Sequence, residues 1–103
     1  MGIKEELKIC ASTGKMILGS KRTIKLLKSG SKPKLLVIAD NCPEQTRRLV
    51  EYYAKLLNVP IIIYKGSSLE LGKICGKPFV VSTIAIMDLG RSLLLDYVGK
   101  EEV

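Results

Sequence analysis

Histidine and tryptophan are absent from this sequence of 103 residues, and phenylalanine occurs only once. Without histidine, the chain lacks both the commonest metal ligand and the commonest general base of enzymes. A Ser-His-Asp or Cys-His arrangement therefore cannot form. The glycine-rich patterns that bind nucleotide phosphates are also missing, because the glycines around Lys73 have the wrong spacing. These absences predict a protein with no catalytic residue, no metal site, no cofactor and no small-molecule substrate.

Cysteine is scarce as well. The chain has three cysteines, Cys10, Cys42 and Cys75. Their odd number and the absence of a C-x-x-C pair argue against a disulfide framework. We expect three small buried thiols in a reducing cytoplasm. No apolar run reaches about 18 residues, the length that a membrane span needs. The first residues are acidic where a secretory signal would be apolar. We therefore expect a cytoplasmic protein that does not enter a membrane.

Positive charge is concentrated in the first third of the chain. The net charge is +7, and residues 1–34 hold nine lysines and arginines against two glutamates. Residues 35–103 hold eight basic and eight acidic residues, so they contribute no net charge. A basic surface of this kind favours a polyanionic partner, either a nucleic acid or an anionic membrane face. It could also serve only to keep the protein soluble.

Helical and strand patterns alternate from one end of the chain to the other. Ser20 is predicted to cap the second helix, and Ser67 with Glu70 has the spacing of a capping box. The predicted elements are a helix over 3–13, strand 16–18, helix 21–28, strand 35–39, a helix from Pro43 to about Asn58, strand 61–64, a short helix from Ser67, strand 79–84, a final helix from Asp88, and a frayed tail over 99–103. This alternation predicts one α/β domain over residues 1–103, a three-layer α/β/α sandwich with a central mixed four-stranded sheet.

Three loops are candidates for a binding site, since ligands of open α/β sheets gather at loops along one edge. They are residues 19–22 (Gly-Ser-Lys-Arg), 40–43 (Asp-Asn-Cys-Pro) and 77–79 (Lys-Pro-Phe). The first loop begins a helix, whose free N–H groups favour phosphate, and Gly19 allows the backbone to come close. We therefore expect phosphate to bind at this loop.

Single residues support a nucleic-acid interface, although each has an alternative. Lys21, Lys25 and Lys28 recur at helical spacing and predict a cationic stripe, or simply a solvated helix face. The Asn41 amide can read a base edge or start the next helix through an Asx turn. Phe79 can pack against an unstacked base or belong to the core. A phosphate partner would also explain Arg47, because a cation near a helix N-terminus opposes the helix dipole.

Six short motifs, in this order and spacing, resemble the large-subunit ribosomal proteins L thirty e of archaea and eukaryotes. The motifs are Thr13-Gly14-Lys15, residues 18–25 (LGSKRTIK), residues 39–43 (ADNCP), residues 51–54 (EYYA), Glu70-Leu71-Gly72 and residues 75–79 (CGKPF). The resemblance covers about residues 3–95, and the short N-terminus is more similar to the archaeal proteins. It implies an α/β/α sandwich that binds kink-turn RNA.

The resemblance also implies a role and a set of contacts. The role is that of a structural constituent of the large ribosomal subunit, in the cytoplasm, with ribosomal RNA and neighbouring ribosomal proteins as partners. The contacts carried over from the family are Gly19, Lys21, Asn41, Phe79 and Val81. With the residues proposed above, the predicted RNA-binding set is Gly19, Ser20, Lys21, Arg22, Lys25, Lys28, Asn41, Arg47, Phe79 and Val81.

Other readings of the sequence remain open at this point. The related L seven A e proteins typically carry Asn-Glu where this chain has Lys21-Arg22. That difference favours the thirty-e reading over a kink-turn protein of a non-ribosomal RNA complex. A small-ligand-binding α/β enzyme or regulatory domain could use Asp40 at a strand end. A protein-interaction module would expose an apolar patch instead of a basic one.

Overall fold

The computed structural model describes residues 3–97, with side chains over residues 3–95. The tail 99–103, for which fraying is predicted, lies outside the described residues. Within them the elements are α1 (Ile3–Thr13), β1 (Lys15–Leu18), α2 (Ser20–Lys28), β2 (Leu35–Ala39), α3 (Glu44–Leu57), β3 (Ile61–Tyr64), α4 (Ser68–Ile74), β4 (Thr83–Asp88) and a 3-10 helix (Leu94–Tyr97).

The four strands form one mixed sheet in the order β1-β4-β2-β3. β4 pairs antiparallel with both β1 and β2, and β2 pairs parallel with β3. The strands β1, β2 and β3 therefore run in one direction and β4 runs in the other. As a result, the carboxyl ends of three strands and the start of β4 share one edge of the sheet.

Helices cover both faces of this sheet. On one face, Leu7 and Cys10 of α1 and Leu71 of α4 pack against alternate residues of the strands. On the other face, Leu27 of α2 and Val50 of α3 pack against the remaining alternate residues. The five residues of β2 are all buried, as expected for a central strand that is covered on both faces. The predicted α/β/α sandwich is confirmed.

Helix ends differ in part from the sequence predictions. The second helix is capped by Gly19, and Ser20 is its first residue, so the predicted Ser20 cap is wrong. The third helix begins one residue later than predicted, because Pro43 is its N-cap, and it ends at Leu57. Asn58, the residue that follows, adopts the left-handed conformation. The capping box is confirmed, because the Ser67 hydroxyl accepts a hydrogen bond from the N–H of Glu70 at 3.1 Å.

The last strand lies four residues later than predicted, over Thr83–Asp88. The last paired residue of β1 is opposite Ile84 and that of β2 is opposite Thr83. Most of the residues before Thr83 therefore have no strand to pair with. The helix predicted from Asp88 is replaced by a turn, in which Gly90 has a φ of 59° and donates its N–H to Asp88 Oδ1. The chain resumes helical geometry only at the 3-10 helix.

The expectation of three buried thiols is confirmed for two of them. The thiols of Cys10, Cys42 and Cys75 are free, and the first two are buried, whereas Cys75 is half-buried. No helix over residues 3–97 has both the length and the apolar character to cross a membrane.

Candidate nucleic-acid interface

The three predicted loops meet at the edge where β1, β2 and β3 end and β4 begins. The N–H of Gly19 donates to the carbonyl of Thr83 at 2.9 Å, which ties the first loop to the start of β4. The N–H of Ala39 donates to the carbonyl of Ser82 at 2.9 Å, and Asp40 donates to Gly66 at 3.2 Å. We call this surface, formed by residues 19–22, 40–43, 65–68 and 79–83, the loop edge.

Gly19 gives the first loop a backbone that other residues rarely adopt. Its φ of 104° and ψ of 146° lie in a region that is open mainly to glycine. A Cβ atom there would meet no atom of the described residues within 4 Å, so the conformation rather than a lack of space requires glycine. No side chain caps the first turn of α2. The N–H groups of that turn are therefore available to a phosphate.

Ser20 turns toward the sheet instead of capping the helix. Its hydroxyl donates to Thr83 Oγ1 at 3.1 Å, and Thr83 is fully buried. Cys42 Sγ lies 3.9 Å from the same Thr83 oxygen. Burial raises the pKa of the Cys42 thiol, while the Thr83 hydroxyl and the nearby charge of Arg47 act in the opposite direction. The Thr83 hydroxyl thus joins the first two loops inside the protein.

Asn41 is held by a helix that follows much later in the chain. Its Oδ1 atom accepts a hydrogen bond from the N–H of Ser68, in the first turn of α4, at 2.8 Å. A backbone N–H can only donate, so the amide oxygen must face Ser68 and the amide nitrogen must face elsewhere. Asn41 therefore stabilises the start of α4 rather than that of α3. Its exposed side chain keeps two N–H donors for a partner.

The segment before β4 follows α4 closely. The N–H of Val81 donates to the carbonyl of Ser68 at 3.0 Å, so Ser68 contacts both Asn41 and this segment. A Cβ atom on Gly72 would lie only 2.0 Å from the carbonyl oxygen of Phe79. The close approach of α4 to the Phe79 backbone therefore requires glycine at position 72.

The exposed apolar residues of this segment are Phe79 and Val80, at 53% and 60%. Val81 is only 1% exposed and belongs to the core between the sheet and α4. The predicted contact between the Val81 side chain and a base is therefore wrong, because that side chain packs inward. The expectation that Phe79 is exposed agrees with the structure.

Arg22 and Phe79 line one open groove, of about 720 Å³, beside the free edge of β1. Lys15 and Lys77 supply two further cations to its wall, and Leu18 is among its apolar residues. Arg22 thus lies in the same groove as the exposed aromatic ring. The contact region shared by Arg22 and Phe79 could not be predicted from the sequence, because the two residues are 57 positions apart.

The remaining predicted cations occupy different environments. Lys21 and Lys25 are exposed on α2, and Lys28 is at its far end. That end is about 13 Å from the loop edge, since a helix rises about 1.5 Å per residue. Arg47 is half-buried, and its Nε lies 3.8 Å from Glu51 Oε2. The structure therefore places Lys21 at the loop edge and does not bring Lys28 there.

Three positioning residues, Ser68, Gly72 and Thr83, were missed by the sequence-based predictions. Ser68 acts through its backbone, which no side-chain pattern reveals. The capping box that begins at Ser67 located the start of α4 but not its contact with Asn41. Gly72 in the middle of a short helix was the one available signal, because glycine there is unfavourable unless a close contact requires it.

A model of the ribosomal protein L7Ae/L30e/S12e/Gadd45 family matches residues 1–95 of the chain. The chain is 47% identical over 98 residues to the large ribosomal subunit protein eL30 of Methanopyrus kandleri, covering 95% of this chain and 89% of that protein. It is 48% identical over 99 residues to the eL30 protein of Methanothermobacter thermautotrophicus, covering 96% and 100%. The eL30 protein of Sulfurisphaera tokodaii is 45% identical over 95 residues, which cover 92% of this chain and 89% of that protein.

Proposed function

Because the chain belongs to the ribosomal protein L7Ae/L30e/S12e/Gadd45 family, we propose that it is a structural constituent of the large ribosomal subunit and binds kink-turn ribosomal RNA. The archaeal proteins to which it is similar are named as proteins of the large ribosomal subunit, and such proteins are not enzymes. Accordingly, the protein is a part of the cytoplasmic ribosome and catalyses no reaction. Its partners are ribosomal RNA and neighbouring ribosomal proteins.

The observation that carries this proposal is the orientation of the Asn41 amide. Its oxygen is already bonded to Ser68, so only its N–H donors face a partner. Donors of this kind match the acceptor atoms on the base edges of unpaired or sheared nucleotides. A rigid donor costs less ordering on binding than one on a mobile side chain.

The first loop supplies contacts to the RNA backbone. Gly19 leaves open space at the start of α2, and the uncapped N–H groups there attract phosphate. Lys21 and Arg22 add positive charge at the same place. A sharp bend in RNA brings phosphates close together, and these cations offset the repulsion between them. The first loop therefore favours a bent RNA over a straight one.

The Phe79 segment supplies an apolar contact. The exposed rings and methyl groups of Phe79 and Val80 can pack on a base that the bend has removed from its stack. Stacking on an aromatic ring is worth about 1–3 kcal/mol per base. A regular duplex does not present such a base. Binding therefore shifts the RNA toward its kinked form through a difference in affinity between the two shapes.

Titration across a range of salt concentrations tests this function. The probes are a kink-turn RNA and a straight RNA duplex of equal length and charge. We expect the kink-turn RNA to bind at least about 30-fold more tightly, because two base-specific contacts of about 1–3 kcal/mol each are made only with it. The straight duplex measures the affinity that comes from phosphate alone. Equal affinity for both RNAs would overturn the proposal.

The same titration with Asn41→Ala separates recognition from charge. We expect this variant to lose most of its preference for the kink turn while its salt dependence is unchanged. Gln45→Ala is the matched control, since Gln45 is an exposed amide near the start of α3 with no assigned contact to RNA. It should behave as the unmodified protein does.

The groove beside β1 does not favour a ligand-binding or enzymatic role at Asp40. Asp40 is exposed at the end of β2. The groove of about 720 Å³ lies beside β1 and does not include it.

A further inference from the structure

A second group of cations lies at the edge of the sheet opposite the loop edge. These residues, which we call the far-edge cluster, are Lys15, Lys28, Lys32, Lys34 and Arg91. All five are exposed. Four of them belong to the first 34 residues, which hold the whole excess of positive charge. The fold therefore divides that excess between two opposite edges.

The pairing of the strands shows where two members of the far-edge cluster, Lys15 and Lys34, lie relative to each other. Lys15 begins β1 opposite Asp88, the last residue of β4. Lys34 donates its N–H to the carbonyl of Ile86 at 2.8 Å, on the other side of β4. Lys15 and Lys34 are thus two strand spacings apart, roughly 10 Å.

The remaining cations surround these two positions. Lys28 ends α2, and Lys32 lies in the loop that leads from α2 into β2. The N–H of Arg91 is bonded to Thr13 Oγ1, at the end of α1 next to Lys15. The ends of two helices and three strands therefore bring these residues to the same end of the sheet.

Within residues 3–95, the positive charges of the far-edge cluster exceed the negative charges placed beside them. None of its five side chains forms an ion pair within residues 3–95. The acid that the register places among them is Asp88, opposite Lys15, so one negative charge stands against five positive ones. In contrast, Arg47 and Arg48 near the loop edge are paired with Glu51 and Glu44. Unpaired like charges repel each other, so a bound polyanion would relieve a real cost here.

We propose that the far-edge cluster binds the phosphate backbone of a second RNA segment, while the loop edge binds the kink turn. The loop between the lysines is Ser29-Gly30-Ser31, and the hydroxyls of Ser29 and Ser31 lie 3.2 Å apart. This loop offers no aromatic ring to stack on a base and no apolar side chain to enter a membrane. Its contacts are therefore with phosphate and independent of sequence.

The direction in which the two edges face supports a separate segment. The loop edge and the far edge are opposite ends of the same strands, so a ligand seated on Lys28, Lys32 and Lys34 faces away from the loop edge. Lys15 is the member of the cluster that also lines the groove beside β1. The far edge suits a duplex, which presents closely spaced phosphates along a regular surface. The protein would then hold two RNA segments together. This inference rests on the proposed function only in that one of the two segments is the kink turn.

The test uses the double variant Lys32→Gln/Lys34→Gln, which leaves out Lys28 because that residue continues the stripe of α2. The matched control is Lys8→Gln/Lys73→Gln, which removes the same charge from exposed positions on α1 and α4. Each protein is first saturated with a short labelled kink-turn RNA. A straight 20-base-pair RNA duplex with a second label is then added at several salt concentrations, and its binding to the complex is measured.

The duplex should bind the unmodified complex at a ratio of one to one. The far-edge variant should bind it roughly 10-fold more weakly or worse, with about two fewer counterions released, since each phosphate-contacting lysine contributes about one. Its affinity for the kink-turn RNA should stay within about 2-fold of the original value. The control variant should change both affinities by less than about 3-fold.

Two results would overturn the proposal. If the far-edge variant binds the duplex as the control does, the cluster is only a solvated surface. If it loses affinity for the short kink-turn RNA in the same proportion, the cluster belongs to the first interface. The duplex arm is repeated on free Asn41→Ala protein. This measurement does not depend on kink-turn binding, so a failure of kink-turn recognition would leave the proposal for the far-edge cluster intact.

Discussion

The side-chain oxygen of Asn41 accepts a hydrogen bond from the backbone N–H of Ser68 at 2.8 Å, across 27 residues of sequence. Ser68 in turn accepts a hydrogen bond from Val81 through its carbonyl. One residue thus links the asparagine after β2 with the segment that exposes Phe79. The start of α4 positions two elements of the proposed interface together.

Asn41→Asp should separate the internal role of this residue from its role toward RNA. Aspartate keeps the oxygen that accepts from Ser68, and its charge is favourable near a helix N-terminus, so the free energy of unfolding should change by less than about 0.5 kcal/mol. The N–H donors are lost, so the affinity for kink-turn RNA should fall at least about 10-fold, the loss of about 1.4 kcal/mol. Urea unfolding and RNA titration measure the two effects.

The added negative charge of Asn41→Asp needs its own control. Binding of the straight duplex reports the nonspecific loss, and the kink-turn RNA should lose more affinity than the duplex does. Equal losses for both RNAs would mean that the donor plays no part in recognition.

Gly19→Ala should destabilise the protein through its backbone, because no atom obstructs a Cβ there. We expect a loss of about 1–3 kcal/mol in the free energy of unfolding, the cost of a non-glycine residue in a sparsely populated region. Gly30→Ala is the matched control, since Gly30 has a φ of 87° and equally open surroundings. Both variants should lose stability, but only Gly19→Ala should weaken kink-turn binding. Equal binding by the two would remove Gly19 from the interface.

Phe79→Ala and Val81→Ala should give opposite results. Phe79 is 53% exposed, so its removal should leave stability nearly unchanged and weaken binding by about 1–3 kcal/mol, the worth of one stacked base. Val81 is buried, so its truncation should cost about 2 kcal/mol of unfolding free energy, from two lost methyl groups and the cavity left behind. Thermal unfolding of both variants measures the loss of stability, and RNA titration measures the loss of affinity. A stable Val81→Ala protein that binds RNA weakly would restore the original prediction for Val81.

Stability should fall at alkaline pH through Cys10. Burial, followed by the charges of Cys75 and Asp88, raises the pKa of the Cys10 thiol from 9.0 to about 11. Between these two values the folded protein holds a proton that the unfolded chain has lost. The stabilisation is therefore complete below pH 9 and disappears as the pH rises toward 11, by up to about 2–3 kcal/mol.

Urea unfolding at pH 8, 9, 10 and 11 measures this loss. Cys10→Ala should show a shallower decline than the unmodified protein, whatever its stability at pH 8. Ser12→Ala is the control, because Ser12 is exposed and does not titrate in this range. Parallel declines for Cys10→Ala and the unmodified protein would contradict the assignment.

Local chemistry allowed much of the fold to be predicted from the sequence. The continuous apolar run Leu35–Ala39 is a central strand because a strand covered on both faces needs no polar side. Ser67 and Glu70 begin a helix because their spacing satisfies its free N–H groups. Phe79–Ser82 was misread as a strand, because its apolar composition says nothing of where the neighbouring strands end.

The candidate site was predictable at the level of loops but not of contacts. The alternation of helices and strands implies that loops such as 19–22 and 40–43 share an edge. It does not show that Asn41 uses its oxygen internally, that Arg22 lies beside Phe79, or that Val81 faces inward. Those facts depend on residues that are distant in sequence and adjacent only after folding.

By itself, the sequence determined that this protein has no histidine-based chemistry, that it carries an excess of positive charge in its first third, and that its helices and strands alternate. These properties follow from composition and short-range pattern. The tertiary structure decided how that charge is used, because strand direction sends Lys21 to one edge of the sheet and Lys34 to the other. Charge is a property of residues, whereas a binding surface is a property of their arrangement in space.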